Sequence, residues 1–328
     1  MGEFDLIARY FTRPTPRAAL GVGDDCALLQ PAPGMQLAIS SDMLVEGRHF
    51  FADVDPYSLG HKALAVNLSD LAACGARPLA FTLALALPRV DEAWLGPFSR
   101  GMLALADAHG CELVGGDTTR GPLNICITVF GEVPRGQALL RSGARVGDDI
   151  YVSGTLGDAR LALEILRGTV VAPAEVLAAA RLRLEQPTPR VALGLALRGI
   201  ATAAIDVSDG LLGDLGHILE QSGVGATVHN DTAIELVAAR AYLPFEKSVF
   251  YPEIKADQWL AWTLAGGDDY ELLFTAPASA GPAIAAASSL SQTTVTRIGQ
   301  IDGERGLRLV NAQGQSVPNP YTSFDHFA

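Results

Sequence analysis

Aspartate stands beside glycine or a small hydroxyl residue in seven short segments of this chain, from near the N-terminus to the last quarter. They read Gly21-Val-Gly-Asp24-Asp25, Ser40-Ser41-Asp42, Asn67-Leu-Ser69-Asp70, Gly115-Gly116-Asp117-Thr118-Thr119, Asp206-Val-Ser208-Asp209-Gly210, Gly213-Asp214 and Gly266-Gly267-Asp268-Asp269-Tyr270-Glu271. A carboxylate is expensive to bury unless it is paired or bound to metal. With 36 acidic side chains against 24 Lys and Arg, the chain's own bases are too few to pair them all. The pattern points to a site that collects divalent cations and handles phosphate through metal rather than through lysine.

At 328 residues the chain is long enough for two domains, and its 49% hydrophobic and 18% charged residues are a globular composition. A net charge of -12 repels nucleic acid and anionic membranes, so neither is expected as a partner. ATP remains accessible to an acidic protein whose bound cations reverse the local charge. Cys26, Cys74, Cys111 and Cys126 form no Cys-x-x-Cys pair, which disfavours zinc and thioredoxin chemistry and suits reduced thiols in the cytoplasm. The start, Met-Gly-Glu-Phe-Asp-Leu, lacks the basic and apolar regions of a signal peptide. The longest apolar run, Leu79 to Leu87, is too short to span a bilayer.

Pattern along the chain predicts a mixed α/β (α+β) protein. Gln36–Ser40 reads as a strand delivering Ser40, Ser41 and Asp42 to its end. Asp55-Pro56 starts a helix that runs to about Gly75, and Asp91 caps another that ends at Gly110. Phe81–Leu87, Glu112–Val114 and Leu123–Val133 read as strands, the second running into Gly115-Gly116-Asp117. The pattern lapses between Pro134 and Asp148, which sets domains at 1–137 and 138–328. In the second, Asp149–Ser153, Ala203–Ile205, Tyr270–Thr275, Val295–Ile301 and Leu307–Val310 are expected strands. Helices are expected from Gly157-Asp158 and after Gly210.

Singly, most of these aspartates fit turns and caps equally well. Asp70 does not: it sits in mid-helix among leucines, on one face with Asn67, and burial there favours a ligand role. Asp214 fits a first-turn residue that suits the helix dipole. The Gly115-Gly116 amides can approach a phosphate, and Arg141 can grip one in bidentate fashion. His49 follows Asp42 closely, and the tail around Phe324 offers an aromatic wall for a flat or cationic ligand. P-loop, Rossmann, hydrolase-elbow and zinc-protease motifs are all missing from the sequence.

Gly-Glu-Phe-Asp-Leu-Ile at the start, Gly21-Val-Gly-Asp-Asp-Cys-Ala, Asp42-Met-Leu-Val-Glu-Gly-Arg-His49-Phe, Asn67-Leu-Ser-Asp-Leu-Ala-Ala-Cys-Gly-Ala, Gly115-Gly-Asp-Thr-Thr-Arg-Gly-Pro, Asp206-Val-Ser-Asp-Gly-Leu and Gly266-Gly-Asp-Asp-Tyr-Glu-Leu stand in register over the whole chain. In order and spacing they resemble the thiamine-monophosphate kinase family. The resemblance implies a two-domain fold like aminoimidazole ribonucleotide synthetase. In such folds N-terminal domains pair into a homodimer with a β-barrel across the interface, and the C-terminal domain closes over ATP. It implies Mg²⁺ held by Asp25, Ser40, Ser41, Asp42, Asp70, Asp117, Asp206 and Asp209, of which Asp42, Asp70, Asp117 and Asp209 are the catalytic set. It implies ATP contacts from Gly116, Asp117, Arg141 and Ser208, and thiamine phosphate contacts from His49, Asp268 and Phe324. Two positions depart from the family pattern: Asp268 stands where Glu is usual, and Phe324 where Tyr or Trp is common. The implied reaction is ATP plus thiamine phosphate giving ADP and thiamine diphosphate. The alternatives are another ATP-dependent synthetase of the same architecture, or a non-catalytic nucleotide or thiamine-phosphate sensor.

Overall fold

A computed structural model describes residues 2–23, 25–239 and 254–322. The chain divides into two compact units, Met1–Leu71 with Gly75–Ala138, and Ala72–Cys74 with Leu139–Ala328.

The first unit runs α1 (Glu3–Tyr10), β1 (Met35–Val45), α2 (Pro56–Ala73), β2 (Arg77–Leu87), α3 (Glu92–His109), β3 (Glu112–Arg120) and β4 (Asn124–Pro134). The helix starts follow from capping chemistry. Asp55 Oδ2 accepts from the Ser58 amide at 2.9 Å ahead of α2, and Asp91 accepts from the Ala93 amide at 3.0 Å ahead of α3. Gly110, at φ 55°, closes α3 in the left-handed conformation that glycine tolerates. The four strands form one sheet in the order β1-β4-β2-β3, with β2 and β3 parallel and the other pairs antiparallel.

Alternation divides this sheet into two faces. Leu83, Leu85 and Leu87 of β2 and Ile125, Ile127 and Val129 of β4 are buried. Ser40, Asp42 and Leu44 pair with Val129, Ile127 and Ile125 and so share that face. Leu37, Ile39 and Met43 point the other way, and the last two are 60% and 53% exposed.

The second unit adds β5 (Asp148–Ser153), α4 (Asp158–Leu166), α5 (Ala174–Glu185), α6 (Val191–Ala196), β6 (Ala203–Asp206), α7 (Leu211–Ser222), β7 (Gly225–His229) and α8 (Asn230–Ile234). It continues with α9 (Ala256–Ala265), β8 (Leu272–Pro277), α10 (Gly281–Ser291), β9 (Val295–Asp302), β10 (Gly306–Val310) and β11 (Ser316–Val317). Seven strands form a sheet in the order β11-β10-β7-β9-β5-β8-β6. Leu211, Leu215, Ile218 and Leu219 of α7 pack with Ile150, Ile205, Val228, Leu273 and Ile298 in one buried cluster, while α4, α5 and α9 build a second.

Several expected elements shift. β1 runs on to Val45 because β4 pairs with all eleven of its residues, so Ser40, Ser41 and Asp42 lie inside the strand rather than at its end. Gly115-Gly116-Asp117 likewise lies within β3, held by parallel pairing to β2. The strand expected at Tyr270 starts at Leu272, since Tyr270 has φ 52° and such a residue cannot join a ladder.

One buried knot ties the second unit together. Glu271 is 0% exposed. Its carboxylate receives Arg183 Nη2 at 2.6 Å, Arg190 Nε at 2.6 Å and Nη2 at 2.5 Å, and Ser153 Oγ at 2.5 Å. Ser153 Oγ also accepts the Leu272 amide at 2.8 Å, so the hydroxyl links β5 to the start of β8. Gly154 sits at φ 55° against this carboxylate, where an added Cβ would lie 2.1 Å from Glu271 Oε1. Glu271→Gln is expected to cost about 3 kcal/mol or more, because two guanidiniums lose the charge that compensates their burial. Urea unfolding of the variant beside the parent measures it.

Candidate active site

In the first unit the expected residues fall into separate groups. Ser40 Oγ donates to Asp70 Oδ2 at 2.5 Å, which joins β1 to α2; Asp70 lies in the last turn of that helix, not in mid-helix as expected. Asn67, one α-helical turn before Asp70 and 1% exposed, accepts the Asp42 amide at 3.1 Å and donates to the Ala63 carbonyl at 3.0 Å. The polar pair in an otherwise apolar helix face is thereby explained. Asn67 locks the backbone that carries Asp42, while Asp70 reaches the neighbouring hydroxyl. Ser41 points to the other face and shares hydrogen bonds with the Ile127 carbonyl at 3.1 Å and Thr128 Oγ1 at 3.0 Å. His49 lies in the turn after β1, where its Nδ1 accepts the Val45 amide at 3.0 Å. In the neutral ring Nε2 is then the nitrogen that carries the proton.

Gly116 and Asp117 lie on β3, at the other edge of the sheet. Asp42, Ile127, Leu83 and Gly116 form one crosswise row. Three strand spacings make that about 14 Å, so the sheet alone does not bring Asp117 to Asp42. Gly116 has φ 146°, and an added Cβ would lie 1.9 Å from the Leu83 carbonyl oxygen, so no other residue fits there. Asp117 is exposed, as is Asp25.

In the second unit β6 ends at buried Asp206, and the loop Val207–Gly210 leads into α7. The Gly266–Glu271 segment is laced to this loop. The Asp268 amide donates to the Ser208 carbonyl and the Tyr270 amide to the Val207 carbonyl, both at 2.8 Å. Asp268 and Tyr270 have φ 62° and 52°, a region that costs a non-glycine residue about 1–3 kcal/mol unless its surroundings fix it. They alternate with inward Asp269 and Glu271, 1% and 0% exposed. Both Asp269 oxygens accept the Gly157 amide, at 3.0 and 3.1 Å. Asp268 stays half-buried, with the Tyr270 hydroxyl 3.2 Å from its Oδ1. Arg141 is exposed, and its carbonyl accepts from Ser222 Oγ at 3.4 Å. Asp24 and Phe324 lie outside the described residues.

Asp214, 2% exposed, is more than a first-turn residue complementing the dipole. Its Oδ2 accepts three consecutive amides, Ser208 at 3.1 Å, Asp209 at 3.2 Å and Gly210 at 3.2 Å. Burial pushes its carboxyl up to about 7, helped by the charges of Asp206 and Asp209. Sequence reasoning assigned no role to Asp269 or Glu271. The signal was the period-two alternation of Asp268-Asp269-Tyr270-Glu271, legible only once Tyr270 is known to be left-handed.

Among the described residues no group of three or more His, Cys, Asp or Glu side chains is placed to hold a metal ion. Oxygen donors nonetheless suit Mg²⁺. Ser40 with Asp70 is a hard-donor pair, and Asp206 and Asp209 lie close enough to Asp214 for their charges to help raise its carboxyl. Mg²⁺ keeps several waters and bridges one or two carboxylates to substrate phosphates, so such small sets fit it.

The matching family models are those of AIR synthase related proteins, the N-terminal domain over residues 23–133 and the C-terminal domain over residues 145–311. That defines the class: a two-domain mixed α/β AIR synthase-like protein. The Salmonella typhimurium thiamine-monophosphate kinase is 46% identical over 332 residues, which cover 100% of this chain and 98% of that one. The crystal structure of the Stenotrophomonas maltophilia thiamine-monophosphate kinase superposes with a TM-score of 0.82 at 45% identity, covering 96% of each chain. A relative described as AaThiL complexed with AMPPCP and TMP gives a TM-score of 0.75 at 30% identity, covering 99% of this chain and 96% of that one. Within the class, the chain belongs to the thiamine-monophosphate kinase family.

Asp269 generates a pH prediction. Burial raises its carboxyl well above 3.8, against the opposing Gly157 amide and Arg183. The unfolded chain therefore ionises this group first. Its stabilising contribution is complete below pH about 3.8 and is lost as pH rises toward the folded value. Asp269→Asn removes that dependence. The Tm difference between variant and parent should shift in the variant's favour on going from pH 4 upward, as followed by calorimetry.

Proposed function

We propose that this chain transfers the γ-phosphoryl group of ATP directly to thiamine monophosphate, giving ADP and thiamine diphosphate. The observation that carries this reading is the full-length match to thiamine-monophosphate kinases, one of which is described in complex with AMPPCP and TMP. The acceptor is itself a phosphate, largely ionised near neutral pH with a second pKa of about 6, so it needs neither a general base nor a protein nucleophile. The obstacle is holding two polyanions together.

Asp25, Ser40, Ser41, Asp42, Asp70 and Asp117 of the first unit, with Asp206 and Asp209 of the second, are the residues that would hold Mg²⁺. Mg²⁺ held there would screen phosphate repulsion and steady the developing charge on ADP. Asp42, Asp70, Asp117 and Asp209 form the catalytic part of that set. Asn67 fixes the backbone of Asp42, and Ser40 orients Asp70. Gly116, Asp117, Arg141 and Ser208 bind ATP. Gly116 supplies close backbone approach on an edge strand, and Arg141 a planar fork for phosphate. His49 and Asp268 contact the thiamine phosphate: His49 offers its Nε2 proton, and Asp268 a carboxylate on a loop fixed from beneath. Phe324 is the aromatic partner of the thiazolium cation. Residues 1–137 act as the ATP, Mg²⁺ and dimerisation domain and 138–328 as the domain that closes the site. Two copies pair through the first unit into a homodimer barrel. The open sheet face that exposes Ile39 and Met43 supports this, because a lone sheet rarely leaves such side chains uncovered. The cytoplasm is the proposed compartment. None of the four described cysteines is in a disulfide, and no helix among the described residues is long and apolar enough to cross a membrane.

Incubation with ATP, Mg²⁺ and thiamine monophosphate, followed by chromatography, should yield ADP and thiamine diphosphate, with no product from free thiamine or aminoimidazole-pathway substrates. A phosphorylated side chain trapped during turnover would rule out direct transfer. Asp70→Asn and Asp117→Asn should each lower kcat by at least about 100-fold, the scale for losing a group that stabilises transition-state charge. Both variants should unfold near the parent's Tm, since both side chains are at most half-buried.

A further inference from the structure

The loop Asp206–Gly210 carries two of the proposed metal ligands, and neighbouring segments tie down its path. Gly210 stands at φ 117°, and Ser208 and Asp209 are half-buried. Two clamps act from outside. The segment Gly267–Tyr270 laces the loop's carbonyls, with the Asp268 and Tyr270 amides on Ser208 and Val207. The other clamp is the single oxygen Oδ2 of Asp214, one turn into α7, which gathers the amides of Ser208, Asp209 and Gly210 within 3.1 to 3.2 Å. Three successive amides converging on one acceptor force that stretch into one curvature, so the direction in which the Asp209 side chain leaves the backbone is set by Asp214.

We infer that Asp214 is a positioning residue for phosphoryl transfer: it is no metal ligand but the acceptor that aims Asp209 at the cation, beside Asp206, which the β6–β8 ladder holds. What it contributes is an oxygen acceptor inside the amide cage. Its charge strengthens those bonds but is not indispensable to them, because a neutral carbonyl oxygen in the same place still accepts from the amides. This inference rests on the reading of Asp206 and Asp209 as Mg²⁺ ligands. Outer partners that orient metal ligands typically cost about 10–100-fold in metal affinity when removed.

Two readouts on the full chain test it. In the metal-free protein, hydrogen exchange of the amides at 208–210 should quicken at least tenfold in Asp214→Ala while the amides of β8 and β5 keep their protection. In the ATP and thiamine monophosphate assay, the same variant should need about tenfold more Mg²⁺ for half-maximal rate. Asp214→Asn, which keeps a side-chain carbonyl to accept the amides, should hold both values within about threefold of the parent, because the amides keep an acceptor, if a weaker one. If Asp214→Ala fails to fold, Asp214→Asn decides alone: loss of loop protection or of Mg²⁺ affinity overturns the proposal. An alanine variant with unchanged exchange and unchanged Mg²⁺ requirement also overturns it, as does an asparagine variant as damaged as the alanine one, which would make Asp214 a ligand through its charge. Asp209→Asn serves as the separate control. An unchanged Mg²⁺ requirement there would sink the assignment of Asp209 as a ligand, while the exchange readout still judges Asp214.

Discussion

The second unit depends on a few carboxylates that face inward and must be satisfied there. Glu271 gathers two arginines and a serine, Asp269 the Gly157 amide, and Asp214 three amides of its own loop. A buried acceptor without donors would cost more than the fold gains elsewhere, so each forces its surroundings into one arrangement. The strained backbone at Asp268 and Tyr270 persists because Asp269 and Glu271, on alternate positions, are tied from beneath. The aspartate-rich motifs therefore divide into two kinds of residue. Some face outward with oxygen to offer, and others hold the loops that present them.

The first unit solves the same problem with a sheet. Hydrogen-bond register along β1 and β4 decides which of Ser40, Ser41 and Asp42 shares a face with Asp70, and alternation does the rest. Asn67 then works by bonding backbone rather than by touching a substrate. A transfer between two phosphates asks little covalent chemistry of a protein. It asks for held positions and compensated charge, and both units spend their buried polar groups on that.

Much of this was legible in the chain. Helix starts at Asp55 and Asp91 and the stop at Gly110 are local chemistry, and they appear where the residues say. The oddity of Asn67 and Asp70 was visible as polarity on an apolar face, although the structure sets them in the last two turns of α2 and not in mid-helix. Less legible were strand ends. β1 and β3 run past their motifs because a partner strand continues beside them, information that no local window contains. β8 starts late because Tyr270 is left-handed, which aromatic propensity would never suggest. Asp214 reads as an ordinary first-turn acid, since three amides converging on it depend on a glycine turn that only the folded loop reveals.

The sequence by itself determined the chemistry available: seven acidic segments, oxygen donors, few bases, and motifs in register with one family over the whole length. Spacing and residue type carry that much, because hard cations and phosphates select donors by kind. Only the tertiary structure decided which carboxylates look outward and which are anchors. Asp268 and Asp269 are neighbours of identical chemistry, yet one stays half-exposed and the other is sealed against Gly157. The backbone's rotation at left-handed Asp268 and Tyr270, set by long-range hydrogen bonds, gives them opposite surroundings.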